Sequence, residues 1–303
     1  MNKKFLFKKK GKAFSLIELS IVLVVIGIAI SSITQSSRLI AQFKLSSARS
    51  QTQSSPVTSI KDLSMWLETT TVDSFSENES EDGSGVSVWK DINNYSSAKV
   101  NGQQSSSFRY PQYKTNCING LPCLRFDGSS DYFDIDASFL AGTDYTIFVV
   151  EQRRSPASQN FFIAGTNESG GSNCLLHLGY RENNYVTFAQ YFNDYDYYVD
   201  GYQNISIPRI HTFMLSQLTS SSGRYYYLNG VLQAYVAVHG YSPNAFTPLD
   251  SFIGATIGYY SNSGNSKYYN GDLGEIIIFN RSLKAEERIS VENYLGKKWS
   301  IKL

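Results

Sequence analysis

The chain has 303 residues, with 27 basic and 26 acidic side chains and a formal charge of +1. Lys3, Lys4, Lys8, Lys9, Lys10 and Lys12 crowd the N-terminus, so the remainder is net acidic. That balance excludes a nucleic-acid partner, which requires a basic face. The three cysteines, Cys117, Cys123 and Cys174, fit an oxidising compartment.

The lysine-rich start leads into an apolar run from Phe14 to Ile33 that contains one carboxylate, Glu18. A carboxylate at the centre of a membrane span costs roughly 2.5–3.5 kcal/mol, and less near the interface. Keeping one there implies a use for it. The lysines place the N-terminus in the cytoplasm by the positive-inside rule, and everything after Ile33 outside.

Ala13, the sequence FSLIE (Phe14 to Glu18) and the apolar run together resemble the N-terminus of type IV prepilins and pseudopilins. The resemblance implies a prepilin peptidase that cuts between Ala13 and Phe14 and methylates the new N-terminus at Phe14. It implies a helix that stays in the inner membrane until the subunit enters a fibre. It also implies that Glu18 pairs with the N-terminal amine of a neighbouring pilin subunit and so sets the axial register. An ammonium and a carboxylate are both costly in an apolar fibre core unless paired. The family usually has Gly where Ala13 stands, and many major pilins carry a Pro inside the helix, which this chain lacks between Phe14 and Ser55. The alternatives are a secretory signal peptide, cleaved near Ala29 or Ser31–Ser32, and a plain membrane anchor.

Residues 1–13 therefore read as leader, 14–48 as the membrane and fibre-core helix, and 49–59, rich in Ser, Gln and Thr, as a linker. From residue 60 onward, short β-branched and aromatic runs alternate with Gly, Asn, Asp and Ser clusters. TIFVVEQ (Thr146 to Gln152), NFFIAGT (Asn160 to Thr166), YVTFAQYF (Tyr185 to Phe192), RYYYLNG (Arg224 to Gly230) and EIIIFN (Glu275 to Asn280) are examples. This spacing predicts a sandwich or jelly roll. Cys117 and Cys123 flank an Asn119–Gly120 turn pair, which predicts a disulfide across a hairpin, contributing on the order of 2 kcal/mol. Cys174 reads as a buried thiol.

Ser282 is the expected N-cap of a closing helix whose core stripe is Ala285, Ile289, Val291, Leu295 and Trp299. Glu286, Glu287 and Glu292 fall mostly off that stripe. The fold class is thus a mainly β head, an antiparallel jelly-roll sandwich with a C-terminal helix, on a long N-terminal α-helix.

LSMWLETT (Leu63 to Thr70), VSVWKD (Val86 to Asp91), CLRFDGSSDYF (Cys123 to Phe133), TIFVVEQ and the segment from Gly274 to Trp299 resemble the laminin-G-like jelly roll of the concanavalin A-like lectin/glucanase superfamily over 60–303. The superfamily hosts lectins, adhesion domains and glycosidases, so fold alone does not give function.

A glycosidase needs two carboxylates flanking the scissile bond. The E-x-D-x-(x)-E pattern of related glucanases is absent, and Glu77, Glu79, Glu81 and Asp82 sit in a Ser/Gly-rich loop. The sequence reading is therefore not an enzyme. His177, His211 and His239 lack metal-ligand spacing and read as structural or exposed.

Calcium, which takes six to eight oxygens, is the cofactor the superfamily implies. Asp127, Asp131, Asp134 and Asp136 form one candidate set. Asn193, Asp194, Asp196 and Asp200 form the other. Tyr191, Tyr195, Tyr197 and Tyr198, in a stretch read as a loop, are the candidate ligand-binding aromatics. Tyrosines also concentrate at Tyr225 to Tyr227 and at Tyr259, Tyr260, Tyr268 and Tyr269.

The expected function is a minor pilin-like subunit near a fibre tip, with a head that binds a glycan or protein ligand in adhesion. A type II secretion pseudopilin is the alternative, and a surface glycosidase the more distant one.

Overall fold

The computed structural model describes residues 15–166, 171–181, 185–199, 204–217, 223–236, 247–252, 254–262 and 265–303. Ala13, Phe14, Asp200 and His239 lie outside the described residues. Two compact units are separable, 1–43 and 44–303.

The first helix, α1, spans Leu16–Gln53. Its start is held by a reciprocal pair of hydrogen bonds. The Ser15 N–H donates to Glu18 Oε2 at 2.8 Å, and the Glu18 N–H donates to Ser15 Oγ at 3.1 Å. This is the S-x-x-E capping box, which satisfies two N–H groups that a helix start leaves bare. Leu16, Ile17, Leu19, Leu23 and Val24 are all more than half exposed. The helix is long and apolar enough to cross a membrane.

The head is an antiparallel sandwich, as its alternating sequence predicts. One sheet runs, in spatial order, Val231–Leu232, Arg224–Leu228, Arg209–Leu215, Tyr145–Arg153, Asn270–Phe279, Leu121–Asp127 and Gln112–Ile118. Leu63–Glu68 also pairs with Asn270–Phe279, beyond the end of Leu121–Asp127. The second sheet runs Tyr235–Val236, Asp194–Tyr198, Tyr185–Ala189, His177–Arg181, Asn160–Gly165, Ala255–Ile257, Phe133–Ile135, Gly102–Gln103 and Val88–Trp89.

Leu67, Phe126, Ile147, Phe162, Phe188, Phe213, Ile276 and Ile278 fill the space between the sheets. The first sheet is covered on its other face as well. There Trp66, Phe148, Ile277 and Phe279 meet Val291, Leu295 and Trp299 of the closing helix α2, Ala285–Trp299. Burial on both faces explains the unbroken apolar run in Asn270–Phe279.

Three boundaries differ from the sequence reading. α1 continues to Gln53, past residue 48, because Ala48 and Thr52 are buried; the Thr52 and Tyr294 hydroxyls meet at 3.3 Å. Much of 49–59 is therefore helix or the tight turn Pro56–Ser59, with Val57 in the core, rather than a bare linker. α2 is capped at Lys284, not Ser282. Leu283 is buried and its N–H donates to Thr146 Oγ1 at 3.0 Å, which holds the link extended. Glu287 then accepts the Lys284 N–H at 2.9 Å.

The packed face of α2 is also rotated from the predicted stripe. Ala285 and Ile289 are exposed, while Arg288, Glu292 and Lys298 are buried. The cause lies in the sheet. Glu68 and Glu275 are directly opposite one another on neighbouring strands. Like charges so placed repel. Lys298 Nζ sits 2.8 Å from each of them, and all three side chains are fully buried. Trp66 Nε1 and Trp299 Nε1 donate to Glu275 at 2.7 and 2.8 Å. Burial opposes the charge on Glu68, but Lys298 and the Thr70 and Thr71 donors outweigh it and lower its pKa to about 2.

Candidate functional site

The candidate site lies where three adjacent strands of the first sheet meet their loops. The register sets it: Asn270 pairs with Asp127, Gly271 with Arg153, and Asp272 with Arg125. Arg125, Asp127, Arg154 and Asn270 therefore converge at one end of the sheet. With Ser107, Phe108, Tyr110 and Gln112 they line a pocket of about 480 Å³. That volume falls in the usual range for small-molecule sites.

The floor is charged. Arg125 grips buried Asp272 with a two-point fork, Nε to Oδ1 at 2.8 Å and Nη2 to Oδ2 at 3.1 Å. Donating to Asp272 raises the Arg125 pKa against its partial burial. Arg154 Nη1 stands 3.7 Å from the same Oδ2, with its side chain 41% exposed.

One wall is the Asp127–Asp131 turn. Gly128 takes φ +77°, and a Cβ there would strike Asn270 Nδ2 at 2.6 Å, so only glycine makes this turn. Asp127 accepts five hydrogen bonds, from the N–H groups of Ser129, Ser130 and Asp131 and from both serine hydroxyls. Burial works against its charge, yet the Ser129, Ser130 and Asp131 donors overcome it and hold its pKa far below the ordinary carboxylate range. Asp131 is shifted the other way, to about 6, first by burial and then by the charge of Asp127.

An aromatic rim adjoins the pocket. Tyr259 and Tyr268 face each other in the hairpin Tyr259–Asn262/Asn265–Tyr268. Their rings stack with centroids 4.7 Å apart, and Tyr132 stacks on Tyr259 at 4.9 Å. All three are partly exposed. Arg109 Nη1 donates to the Tyr132 hydroxyl at 2.7 Å, and its guanidinium lies over that ring. The neighbouring Phe108, which lines the pocket, is 89% exposed. Gly258 aims the hairpin, since φ is +90° and a Cβ would meet Phe126 at 2.6 Å. Apolar ring faces beside a polar, hydrogen-bonding pocket can hold a ligand with both C–H faces and hydroxyl groups.

The tyrosines singled out from the sequence fall elsewhere. The stretch read as a loop contains the strand Asp194–Tyr198. Tyr195 and Tyr197 belong to the core between the sheets, 6% and 2% exposed, and cannot present a binding face. Tyr197 instead donates its hydroxyl to the Arg224 carbonyl at 3.2 Å. Tyr191 sits in the preceding turn against Phe192, and Tyr198 is exposed beside Tyr185. The four do not form one surface.

Four of the calcium candidates, Asp194, Asp196, Asp127 and Asp131, are already engaged within the protein. Asp194 and Asp196 face Arg181, at 2.8 and 3.5 Å, so a guanidinium occupies the place a cation would take. His177, 3.9 Å from Asp194, is held down to a pKa of about 4, mainly by burial. Asp127 has its lone pairs filled by its own turn, and Asp131 Oδ2 accepts the Asp127 N–H at 3.0 Å. Among the described residues, neither the Asp194 and Asp196 pair nor the Asp127 and Asp131 pair is arranged to wrap an ion.

Cys117 and Cys123 are joined, with Cα atoms 5.7 Å apart, and Cys174 is buried. His211 lies in the core, its Nε2 3.0 Å from Glu151 Oε1, where Tyr180 and Tyr269 also donate to Glu151.

Residues Arg125, Arg154, Tyr132, Tyr259 and Tyr268 were not selected from the sequence as a site. The signal for part of it was present: Tyr259 and Tyr268 flank a Ser/Asn/Gly turn at hairpin spacing, which puts them on one face.

No protein-family model matches the chain. No curated protein matches it. Among solved structures, it is similar to Trypanosoma rangeli sialidase in complex with 2,3-difluorosialic acid, at 14% identity and TM-score 0.48, over 89% of this chain and 39% of that one. The same sialidase with 2,3-difluoro-KDN gives 16% identity and TM-score 0.47, over 78% and 33%. The CBM40 of Ruminococcus gnavus IT-sialidase, bound to α2,3-sialyllactose, gives 14% identity and TM-score 0.41, over 56% and 95%. The chain thus spans a third to two fifths of the length of the sialidases it matches. These enzymes overturn the expectation that the chain is not an enzyme, and that exclusion is withdrawn. At these identities and TM-scores the likeness assigns no activity to this chain.

Proposed function

We propose that this chain is a prepilin-like minor subunit whose head binds a glycan at the rim formed by Tyr132, Tyr259 and Tyr268. The observation that carries the head's role is the stacked, partly exposed tyrosine ladder, whose Tyr132 directly follows Asp131 of the hydrogen-bonding pocket's lining. Ring faces stack on sugar C–H surfaces, while Ser130, Asn270 and the arginines answer the hydroxyls.

The subunit role is supported by Ala13, FSLIE and the apolar run, and by the exposed apolar surface of α1. On this reading a prepilin peptidase releases and methylates Phe14, the helix waits in the inner membrane, and other pilin subunits then cover it. A head as large as 60–303 would crowd a fibre if every subunit carried it, which favours a place at or near the tip. Immunogold labelling evenly along a fibre would contradict that placement.

Binding of the full chain to immobilised sugars tests the head. Tyr259→Ala should weaken binding about tenfold by collapsing the stack that holds the outer rings of Tyr132 and Tyr268 in place, and leave the unfolding midpoint within a few degrees. Sugar binding that is indifferent to Tyr259 would place the ligand elsewhere.

A further inference from the structure

We infer that the pocket beside the tyrosine rim selects sugars that carry a carboxylate, with Arg154 as the group that recognises it. The inference rests on the glycan reading above and adds the ligand's chemical class.

The argument starts from how the pocket's charges are already used. Asp272 is buried and gives both oxygens to the fork of Arg125. Arg154 is left at 3.7 Å from that carboxylate, beyond hydrogen-bond distance. Among the described residues the guanidinium of Arg154 makes no hydrogen bond, although its backbone N–H is fixed to the Asn270 carbonyl at 3.0 Å. The backbone anchor sets where the side chain begins, and Asp272 keeps its head near the pocket.

The acidic wall does not supply the missing acceptor. Asp127 spends its lone pairs on Ser129, Ser130 and Asp131, and Asp131 turns Oδ2 back to the Asp127 N–H. Phe108, Tyr110 and Gln112 contribute no charge. A planar guanidinium with unfilled donors matches a planar carboxylate by two parallel hydrogen bonds.

The same feature works against neutral sugars. A ligand seated on Arg154 without an acceptor would strip water from a charged donor and return nothing, which is the costly direction. The expected discrimination between a carboxylated sugar and its neutral counterpart is about 10- to 100-fold.

The test is a glycan array carrying neutral, uronate, sialate and sulfated sugars, probed with the full chain in a detergent that has no sugar headgroup. Carboxylated sugars should dominate the bound set. Arg154→Gln should reduce that signal about 10- to 100-fold, and Arg154→Lys should restore only part of it, because an ammonium cannot fork. Arg154 is partly exposed, so the unfolding midpoint of both variants should match the parent chain. Equal binding of neutral sugars, or binding unchanged in Arg154→Gln, would overturn the inference while leaving the glycan reading intact. Stronger binding to sulfated than to carboxylated sugars would overturn the carboxylate assignment. Binding to no sugar of any class would instead defeat the glycan reading itself.

Discussion

The N-terminal helix and the head invert each other's use of polarity. From Leu16 to Ile30, α1 leaves leucine, isoleucine and valine side chains in the open, each forgoing about 1.5–3 kcal/mol that full burial would give. The head does the reverse: it buries Glu68, Glu275, Lys298, Glu151, Arg153, His211 and Arg224 almost completely. The helix presents an apolar surface long enough to cross a membrane. The head pairs several of these buried groups with one another, Glu68 and Glu275 with Lys298 and Glu151 with His211. Among the features open on the head are a rim of rings and the guanidinium of Arg154. On the proposed function, the first surface is one that assembly would cover and the second one that would meet a ligand.

The sharpest way to break this comparison is at Glu18, where two explanations coexist. In the single chain Glu18 caps its own helix through Ser15. In a fibre it would pair with a neighbour's N-terminal amine. Glu18→Gln retains capping ability, because Gln also completes a capping box, but removes the charge. Incorporation into fibres should fall to background in Glu18→Gln and in Glu18→Ala alike, with cleavage intact, as read by immunoblot of sheared fibres. Normal incorporation of Glu18→Gln would show that capping is the whole role.

In the head the largest expected effect is at Lys298. Lys298→Met leaves Glu68 and Glu275 facing each other unpaired, which should cost about 3–5 kcal/mol in denaturant unfolding. A loss under about 1 kcal/mol would mean that the buried triad is not what fastens α2.

The two ends of the acid scale sharpen the contrast within the head. Glu68 is lowered to about 2 from an ordinary 4.5, so the stability it gives is complete above 4.5 and is lost as pH falls toward 2. Asp131 is raised to about 6 from an ordinary 3.8, so the stability it gives is complete below 3.8 and is lost as pH rises through 6. Asp131→Asn should therefore raise the unfolding midpoint at pH 7.5 by a few degrees and leave it unchanged below pH 4. An equal shift at both pH values would point to packing rather than charge.

The fold was legible where one face or one run decided it. Burial on both faces wrote EIIIF as a continuous apolar strand, and Asn119–Gly120 marked the hairpin that the disulfide closes. Reading failed where the deciding partner was distant. The stretch Tyr191–Tyr202 reads as a loop because it is rich in Asp and Asn. Arg181, two strands away across Tyr185–Ala189, neutralises Asp194 and Asp196 and lets Asp194–Tyr198 pair as a strand. Glu292 falls off the apolar stripe on a helical wheel, since the wheel cannot show Thr212 waiting in the sheet to donate to it. The candidate site failed to declare itself for the same reason. Arg154 stands more than a hundred positions from Asp272 and Asn270, and only the strand register joins them.

The N-terminal mass of the chain recovered from membranes tests the division between helix and head most directly. A chain that begins at N-methylated Phe14, with the apolar helix retained, is the predicted result. A chain that still begins at Met1, or one cut after the apolar run near Ser31–Ser32, would contradict it.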